Sequence, residues 1–411
     1  MAQKPRHPPE PHYSFTIPSV HDDTTLDCRV YHPPALSGES DESGASWKKR
    51  GIVMAHPYAP MGGSYDDRVV GIVVEEFLKR GWIVGTFNFR GAHGSKGHTS
   101  WSGKPELDDY SSFAAFFLHY VCYLQPSPTP DTLFTPEQSP VSPQSHTLSD
   151  STRARNEEPP NVVLGGYSYG SLILKHLPPV PTILQPFSNP TTGTAADEIL
   201  LRAHNLAGQS NLEWTNLAKD QAREKRGKHG HEHNLSVTMG GEETSPEKRR
   251  RSREFRRSFE GNRSLDLKTR LRSLSHRRRP DEAPIMPPDA IHSVSSSSPI
   301  TAAIRYLLIS PLTPPISTLA APTLGPKFWS RPKEGGQQDD IGKHPALAIY
   351  GDQDIFSSAK KTRAWAEQLK AGSGSQFRSV EVEGAGHFWV EVGVEEKLRV
   401  ALREWEVGVR V

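Results

Sequence analysis

Cysteine is scarce in this sequence. Only Cys28 and Cys122 occur among 411 residues, and they lie far apart. Two distant thiols match neither the disulfide framework of a small secreted domain nor the paired spacing of a structural zinc site. We therefore expect no disulfide scaffold and no metal centre.

Long apolar runs are also missing. No stretch approaches the ~18 apolar residues that a membrane helix needs. The first residues lead into a proline-rich stretch without the apolar core of a secretory signal, and the last three residues carry no lipidation motif. These absences predict a soluble intracellular protein in the cytoplasm, with no transmembrane segment.

The apolar content as a whole is low. Hydrophobic residues make up 35% of the chain, which also contains 36 prolines, and the mean hydropathy is −0.59. Such values indicate one ordinary core diluted by polar segments. The polar stretches at 125–160 and 190–300 exceed the ~15 residues usual for loops in compact domains. We therefore predict one domain over 1–411 with two inserts, disordered at 125–160 and largely disordered at 190–300.

Charge is distributed unevenly along the chain. Residues 219–280 contain 19 Lys and Arg against 9 Asp and Glu, a net charge of +10. The rest contains 30 Lys and Arg against 38 Asp and Glu, a net charge of −8. A mildly acidic body therefore carries a basic segment, here called the basic arm.

The basic arm has several open interpretations. The clusters at 248–257 and 277–279 leave nuclear import open, and Ser275 has arginines three and five residues before it, a spacing that basophilic kinases favour. Binding to an acidic partner, a nucleic acid or an acidic membrane would use the same charge. A solvated loop without a role is the remaining alternative. Few aromatic residues are interleaved, which argues against an RNA-stacking surface.

Outside the inserts, short apolar runs alternate with helical patterns. After two strands at 14–17 and 25–31, the pattern predicts strands and helices in alternation. Strands are expected at 51–55, 82–87, 162–164, 304–309, 346–350 and 380–382, and helices at 66–80, 106–123, 168–176, 357–370 and 391–406. Apolar strands that alternate with helices are typical of an α/β fold with a doubly wound, mostly parallel sheet.

One turn in this pattern carries chemistry. Gly166-Tyr167-Ser168-Tyr169-Gly170 follows an apolar strand and precedes a helical run, and it fits the G-x-S-x-G pattern of a nucleophile elbow. The two glycines are expected because a Cβ at either position would clash with the neighbouring strand or helix. Ser168 is therefore the candidate nucleophile.

A serine hydroxyl needs a base, and the base needs an acid to orient it. In α/β-hydrolases the order along the chain is serine, acid, histidine. Asp354 follows the strand at 346–350, and His387 follows the strand at 380–382 after two glycines. Asp354 is preferred as the acid, while Asp352 is interpreted as a turn residue that hydrogen-bonds backbone nearby. The predicted triad is Ser168, Asp354 and His387.

An oxyanion intermediate needs main-chain donors. The N–H of Tyr169, directly after the nucleophile, is one candidate. The second should come from the loop that begins at His56. Pro57 and Pro60 have no N–H, so Tyr58 is preferred and Ala59 comes second. An alternative is that His56 and Pro57 only end the strand.

Together these motifs resemble the α/β-hydrolase superfamily. The set comprises the His56–Asp67 stretch, Asn88-Phe89-Arg90-Gly91, the elbow, Gly351–Asp354 and Gly386-His387. It is most similar to a compact branch with an H-P-x-x-x-x-G-G loop and an F-N-F-R-G strand end, over residues ~13–125, 160–190 and 300–408. The resemblance implies Ser168 as nucleophile, Asp354 as acid, His387 as base and the 56–59 loop as oxyanion support. Asn88 and Arg90 are interpreted as braces for the glycine loop that follows them.

Two functions are consistent with these features. The first is a serine esterase or related hydrolase that cleaves an ester, thioester or similar acyl bond of a small molecule without a cofactor. The second is a weak or inactive hydrolase-fold protein that acts as a scaffold through its basic arm. The complete set of Ser168, Asp354 and His387 favours the first. The acyl group and the oligomeric state are left open.

Overall fold

The structure is a computed structural model, and it describes residues 9–36, 47–126, 159–229, 300–324 and 338–409. The chain divides into two compact units, Met1–Arg223 with Ser296–Val411, and Glu224–Ser295. The second unit lies outside the described residues except for the end of one helix. The elements below therefore build the first unit.

Within the described residues, eight strands form one sheet in the order β1-β2-β4-β3-β5-β6-β7-β8. The strands are β1 Tyr13–Pro18, β2 Thr25–Tyr31, β3 Arg50–Ala55, β4 Ile83–Phe87, β5 Asn161–Tyr167, β6 Ala303–Ile309, β7 Ala346–Gly351 and β8 Phe377–Val382. Strands β1 and β2 form an antiparallel hairpin, and β2 is antiparallel to β4. All other neighbours are parallel. This is the α/β-hydrolase fold, so the predicted fold class is confirmed.

Helices cover both faces of the sheet. They are α1 Arg68–Lys79, α2 Lys104–Tyr123, α3 Tyr169–Lys175, α4 Val180–Leu184, α5 Ala195–His229, α6 Ile316–Ala320, α7 Gln338–Lys343, α8 Ala359–Lys370 and α9 Val394–Val409. Three-residue 3₁₀ turns occur at Pro34–Leu36, Ala59–Met61 and Gln185–Phe187. No helix in the described ranges is long and apolar enough to cross a bilayer.

The core has two layers because side chains alternate along each buried strand. In β3, Val53 packs into the layer with α2 and α3, while Ile52 packs into the layer with α1 and α9. A sheet that is apolar on both faces needs helices on both faces. The central strands are therefore continuous apolar runs in the sequence, because both of their faces are buried.

Helix α5 corrects the predicted extent of the second insert. Residues 195–229 fall inside the span predicted to be largely disordered, yet they form a helix. Its first half is anchored because Ile199, Ala203, Ala207 and Trp214 recur at helical spacing and are buried in the core. The rest of this insert, residues 230–299, lies outside the described residues, as do residues 127–158 of the first.

Candidate active site

The candidate site lies at the carboxyl edge of the sheet, where loops that follow parallel strands meet. Ser168 occupies the turn between β5 and α3 with φ 55° and ψ −112°. A non-glycine residue rarely adopts this left-handed backbone, and its presence here fits the strained turn of a nucleophile elbow. The serine is 6% exposed.

The two elbow glycines are required by packing. A Cβ on Gly170 would lie 2.6 Å from the carbonyl oxygen of Ala55, at the end of β3. A Cβ on Gly166 would collide with the backbone of Gly170 and Ser171 at the start of α3. The close approach of strand and helix therefore permits only glycine, for the reason expected from the sequence.

The structure brings the three residues of the predicted triad together. His387 Nε2 lies 2.8 Å from Ser168 Oγ, and His387 Nδ1 lies 2.7 Å from Asp354 Oδ2. In the tautomer that satisfies both contacts, Nδ1–H donates to the carboxylate and Nε2 accepts the serine proton. The side chains of His387 and Asp354 are only 4% and 1% exposed, so water does not compete for these bonds.

The two aspartates after β7 have different tasks. The second carboxylate oxygen of Asp354 accepts the main-chain N–H groups of Phe356 (2.8 Å) and Ser357 (2.9 Å). These bonds fix the carboxylate while leaving one oxygen for the histidine. Asp352 instead accepts the N–H of Gly384 at 2.7 Å, and so braces the loop that carries His387. Its main-chain partner thus lies in the neighbouring loop and not in its own turn, where only the side chain of Gln353 donates to its other carboxylate oxygen, at 3.4 Å.

Two aromatic side chains to which the sequence reasoning assigned no role, Tyr167 and Trp389, hold the loop that carries His387. The buried hydroxyl of Tyr167 donates to the carbonyl oxygen of His387 at 2.8 Å. Trp389 holds the same loop, because its indole N–H donates to Ser310 Oγ at 3.0 Å. Both could have been found from the sequence, because each is a large aromatic residue close to a predicted site residue. Its polar atom needs a hydrogen-bond partner when the ring is buried.

The two predicted oxyanion donors lie against each other. The rings of Tyr58 and Tyr169 pack with their centroids 5.1 Å apart. Tyr169 is the first residue of α3, so its N–H has no acceptor within the helix. In the described part of the chain, neither main-chain N–H donates to a protein acceptor.

His56 does more than end strand β3. Its Nδ1–H donates to the carbonyl oxygen of Pro57 at 2.6 Å, and its Nε2 accepts the N–H of Phe89 at 2.9 Å. The imidazole must be neutral to make both bonds, and burial lowers its pKa to about 4. His56 thus ties the oxyanion loop to the loop after β4.

Asn88 and Arg90 are braces, as expected from the sequence. The amide oxygen of Asn88 accepts the N–H of Tyr65 at 2.8 Å. The guanidinium of Arg90 bonds the fully buried carboxylate of Asp109 at 2.7 Å and also reaches Asp22. Neither side chain points its polar atoms at the triad, so their contribution is to hold the loop after β4.

A separate cavity of about 300 Å³ lies away from the triad. Its walls include Leu177 and Val180 near α4, and Ala302 and Ile304 at the start of β6. The triad residues do not line it, because Ser168 lies beside the opposite end of β6. In the described ranges, no group of three or more His, Cys, Asp or Glu could hold a metal ion.

The chain was compared with protein families, curated proteins and solved structures. No family model matches the sequence, and no similarity to a curated protein was found. An α/β serine hydrolase homologue from Coxiella burnetii has a similar structure, with a TM-score of 0.42 and 13% identity over 96% of this chain and 97% of that chain.

Two further solved structures are similar to the same degree. An α/β serine hydrolase without a lid from Xanthomonas campestris gives a TM-score of 0.41 and 13% identity over 97% of this chain and 96% of that chain. An esterase from Pyrococcus furiosus gives a TM-score of 0.40 and 10% identity over 96% of this chain and 89% of that chain. Likeness at this level carries no information about the reaction, which must be inferred from the site itself.

Proposed function

We propose that this protein is a serine hydrolase that cleaves an ester, thioester or similar acyl bond through an acyl-enzyme intermediate. The observation that carries the proposal is the unbroken hydrogen-bonded chain from Ser168 Oγ through His387 to Asp354. Buried polar groups in this order, at an elbow that strains the serine backbone, match the needs of nucleophilic catalysis.

In the first half of the reaction, Ser168 Oγ attacks the carbonyl carbon of the substrate while His387 Nε2 takes the hydroxyl proton. Asp354 keeps Nδ1–H in place and stabilises the imidazolium that forms. When the tetrahedral intermediate collapses, the imidazolium gives its proton to the leaving alcohol or thiol, and the acyl group stays on Ser168.

In the second half, water takes the place of the leaving group. His387 removes a proton from the water as it attacks the acyl-serine carbonyl, and then returns that proton to Ser168 Oγ. The products are the carboxylic acid and a free serine. No cofactor is needed at any step.

The negative oxygen of each intermediate would be held by the N–H groups of Tyr58 and Tyr169. Tyr169 directly follows the nucleophile. The ring of Tyr58 packs against the ring of Tyr169, and this contact keeps the two donor residues next to each other. Two preorganised main-chain donors are the usual way to stabilise such an oxyanion, and each contributes on the order of 10²–10³ in kcat.

The test is hydrolysis of a panel of p-nitrophenyl esters with increasing acyl length. Wild-type protein should release p-nitrophenol from at least one ester, and Ser168→Ala should lower kcat by about 10⁴–10⁶, as for other triads. Thermal unfolding of the variant verifies its fold. A folded Ser168→Ala protein that hydrolyses the same esters at the wild-type rate would refute the mechanism.

A further inference from the structure

Two phenylalanine rings flank the imidazole of His387. The centroid of the Phe356 ring lies 4.7 Å from that of the imidazole, and the centroid of the Phe388 ring lies 5.5 Å from it. The two phenylalanine rings meet each other edge to face at 5.8 Å. They come from different loops, which follow β7 and β8. Phe356 and Phe388 are here called the phenylalanine wall.

The wall is anchored by its own loops and yet open to solvent. The N–H of Phe356 donates to Asp354 Oδ1 at 2.8 Å, and its partly buried ring packs against the core layer of α2 and α3. Phe388 stands between His387 and Trp389, which are both buried. Its ring is nevertheless 47% exposed. A large apolar surface is therefore accessible beside a buried imidazole.

The sheet order separates the wall from the proposed oxyanion residues. Ser168 follows β5, which lies between β3 on one side and β6, β7 and β8 on the other. Tyr58 follows β3, whereas the wall follows β7 and β8. An ester bound with its carbonyl oxygen toward Tyr58 therefore has its leaving oxygen on the side of the wall.

The proton transfer places the leaving group beside the wall, and this step rests on the proposed function. His387 Nε2 must give its proton to the leaving oxygen, which requires the two atoms to come within about 3 Å of each other. The ring centroids of the wall lie 4.7 Å and 5.5 Å from the imidazole. The carbon group attached to the leaving oxygen therefore contacts Phe356 or Phe388.

We infer that the phenylalanine wall selects esters of an uncharged, apolar alcohol. The phenyl rings offer no conventional hydrogen-bond partner, so a hydroxyl-rich or charged alcohol would lose water there without a replacement. An apolar alcohol instead gains by covering exposed ring surface. A cationic alcohol would be attracted to the ring faces, but it would stand next to the imidazolium that forms during the reaction and be repelled by it.

The charges near the loop disfavour an anionic alcohol as well. The carboxylate of Glu391 lies against Gly386, because a Cβ on this glycine would collide with Glu391 Oε1. Two cations near the same loop are engaged elsewhere: Arg68 pairs with Glu395 at 2.6 Å, and Lys397 donates to a main-chain carbonyl oxygen at 2.8 Å. An anionic leaving group would thus face a carboxylate beside the wall.

The experiment compares acetates of different alcohols, so that the acyl group stays constant. The substrates are benzyl acetate, ethyl acetate, the acetate ester of choline and 4-(acetoxymethyl)benzoate, which is benzyl acetate with one added carboxylate. Titration of the released acetic acid gives kcat/KM for each. We expect kcat/KM for benzyl acetate to exceed that of each other ester by about tenfold or more.

Variants at Phe388 connect this preference to the wall. Phe388→Ser should lower the ratio of kcat/KM for benzyl acetate over ethyl acetate by about tenfold. Phe388→Leu keeps an apolar surface and should retain most of the ratio. If Phe388 only supported the fold of the site, kcat/KM would fall by one factor for all four esters and the ratio would not move.

A matched control comes from the far end of helix α9. Val407 is 57% exposed and lies about 20 Å along the helix from its first residue, so Val407→Ser removes an exposed apolar group away from the wall. This variant should show the wild-type ratio. Thermal unfolding verifies that all variants fold, which is expected because the replaced side chains are exposed.

Binding to Ser168→Ala protein separates the wall from the reaction. Saturation-transfer NMR with benzyl acetate measures binding to a protein from which the proposed nucleophile has been removed. We expect saturable binding, with a dissociation constant about tenfold larger when Phe388→Ser is added. If wild-type protein cleaves no ester, the proposed function fails, but this measurement still decides whether the wall binds an apolar alcohol group.

Three outcomes would overturn the inference. One is a wild-type preference for the choline ester or the carboxylate-bearing ester over benzyl acetate. Another is a folded Phe388→Ser protein with the wild-type ratio of benzyl over ethyl acetate. The third is Ser168→Ala protein that does not bind benzyl acetate, or that binds it equally well with and without Phe388→Ser.

Discussion

At the scale of single residues, similar side chains in the candidate site make different contacts. Asp354 and Asp352 lie two positions apart in the same turn, yet only Asp354 bonds His387. Tyr167 and Tyr169 flank the nucleophile, yet one holds the histidine loop and the other begins helix α3. The aspartates therefore supply a first comparison in which one member serves as the control for the other.

The first comparison concerns the aspartates. Asp354→Asn should lower kcat by about 10⁴ because an amide favours the wrong imidazole tautomer. Asp352→Asn should have a much smaller effect, since an amide oxygen can still accept the Gly384 N–H. Steady-state kinetics on a p-nitrophenyl ester separates the two. Equal losses in both variants would mean that Asp354 is not the catalytic acid.

The second comparison isolates the main-chain donor of Tyr58. Tyr58 has φ −63°, which a proline ring can adopt, so Tyr58→Pro removes the N–H while the backbone angle is kept. Tyr58→Ala removes the same ring contact but keeps the donor. We expect kcat of the proline variant to be about 10²–10³ below that of the alanine variant.

The kcat values of the two Tyr58 variants are compared only if both unfold at the same temperature as the wild-type protein. If the folded proline and alanine variants have the same kcat, the second oxyanion donor lies elsewhere. Ala59 would then be the next residue to test, as the alternative in the same loop.

At the scale of elements, the elbow is a close crossing of β3 and α3. Gly170→Ala would drive a Cβ into the Ala55 carbonyl oxygen, so we expect poor folding or a loss of several kcal/mol of unfolding free energy. Gly71→Ala is the control, because no atom lies within 4 Å of the new Cβ in helix α1. There alanine should stabilise by about 0.5–1 kcal/mol.

Urea unfolding of the two glycine variants measures this difference. The close-crossing account predicts opposite signs for the change in unfolding free energy. A Gly170→Ala protein as stable as wild type would show that strand and helix can separate without cost, and that the glycine is not required by packing.

The elements were predictable where a pattern is local. Apolar runs gave the parallel strands, and the elbow, Asp354 and His387 could be placed because each follows its own strand. Helix α5 was missed because only one side of its first half is apolar and the remainder is polar, in a segment rich in charge. Tyr167 and Trp389 were missed because their bonds join residues up to 220 positions apart.

At the scale of the whole molecule, buried histidines make the fold sensitive to acid. Burial lowers the pKa of His32 to about 3 and that of His56, His119 and His176 to about 4. The unfolded chain, with ordinary histidine pKa values near 6.5, therefore binds more protons. The unfolding free energy is undiminished above about pH 6.5 and falls as pH decreases toward 4.

His119 offers a test of this acid sensitivity. Neither ring nitrogen has a hydrogen-bond partner in the described part of the chain, and the ring packs near Tyr123 and Phe187. His119→Phe should keep the packing and remove one proton-binding group from the unfolded state. Urea unfolding across pH 4–7 should show a weaker decline than wild type. If the unfolding free energies of His119→Phe and wild type fall equally with pH, His119 does not contribute to the acid sensitivity.

The central claim is that Ser168 is an activated nucleophile, and active-site labelling tests it most directly. Full-length protein treated with a fluorophosphonate probe should become covalently modified, and peptide mapping should place the adduct on Ser168. Folded Ser168→Ala should not be labelled. A folded wild-type protein that resists the probe, or a Ser168→Ala protein that is labelled to the same extent, would contradict the account.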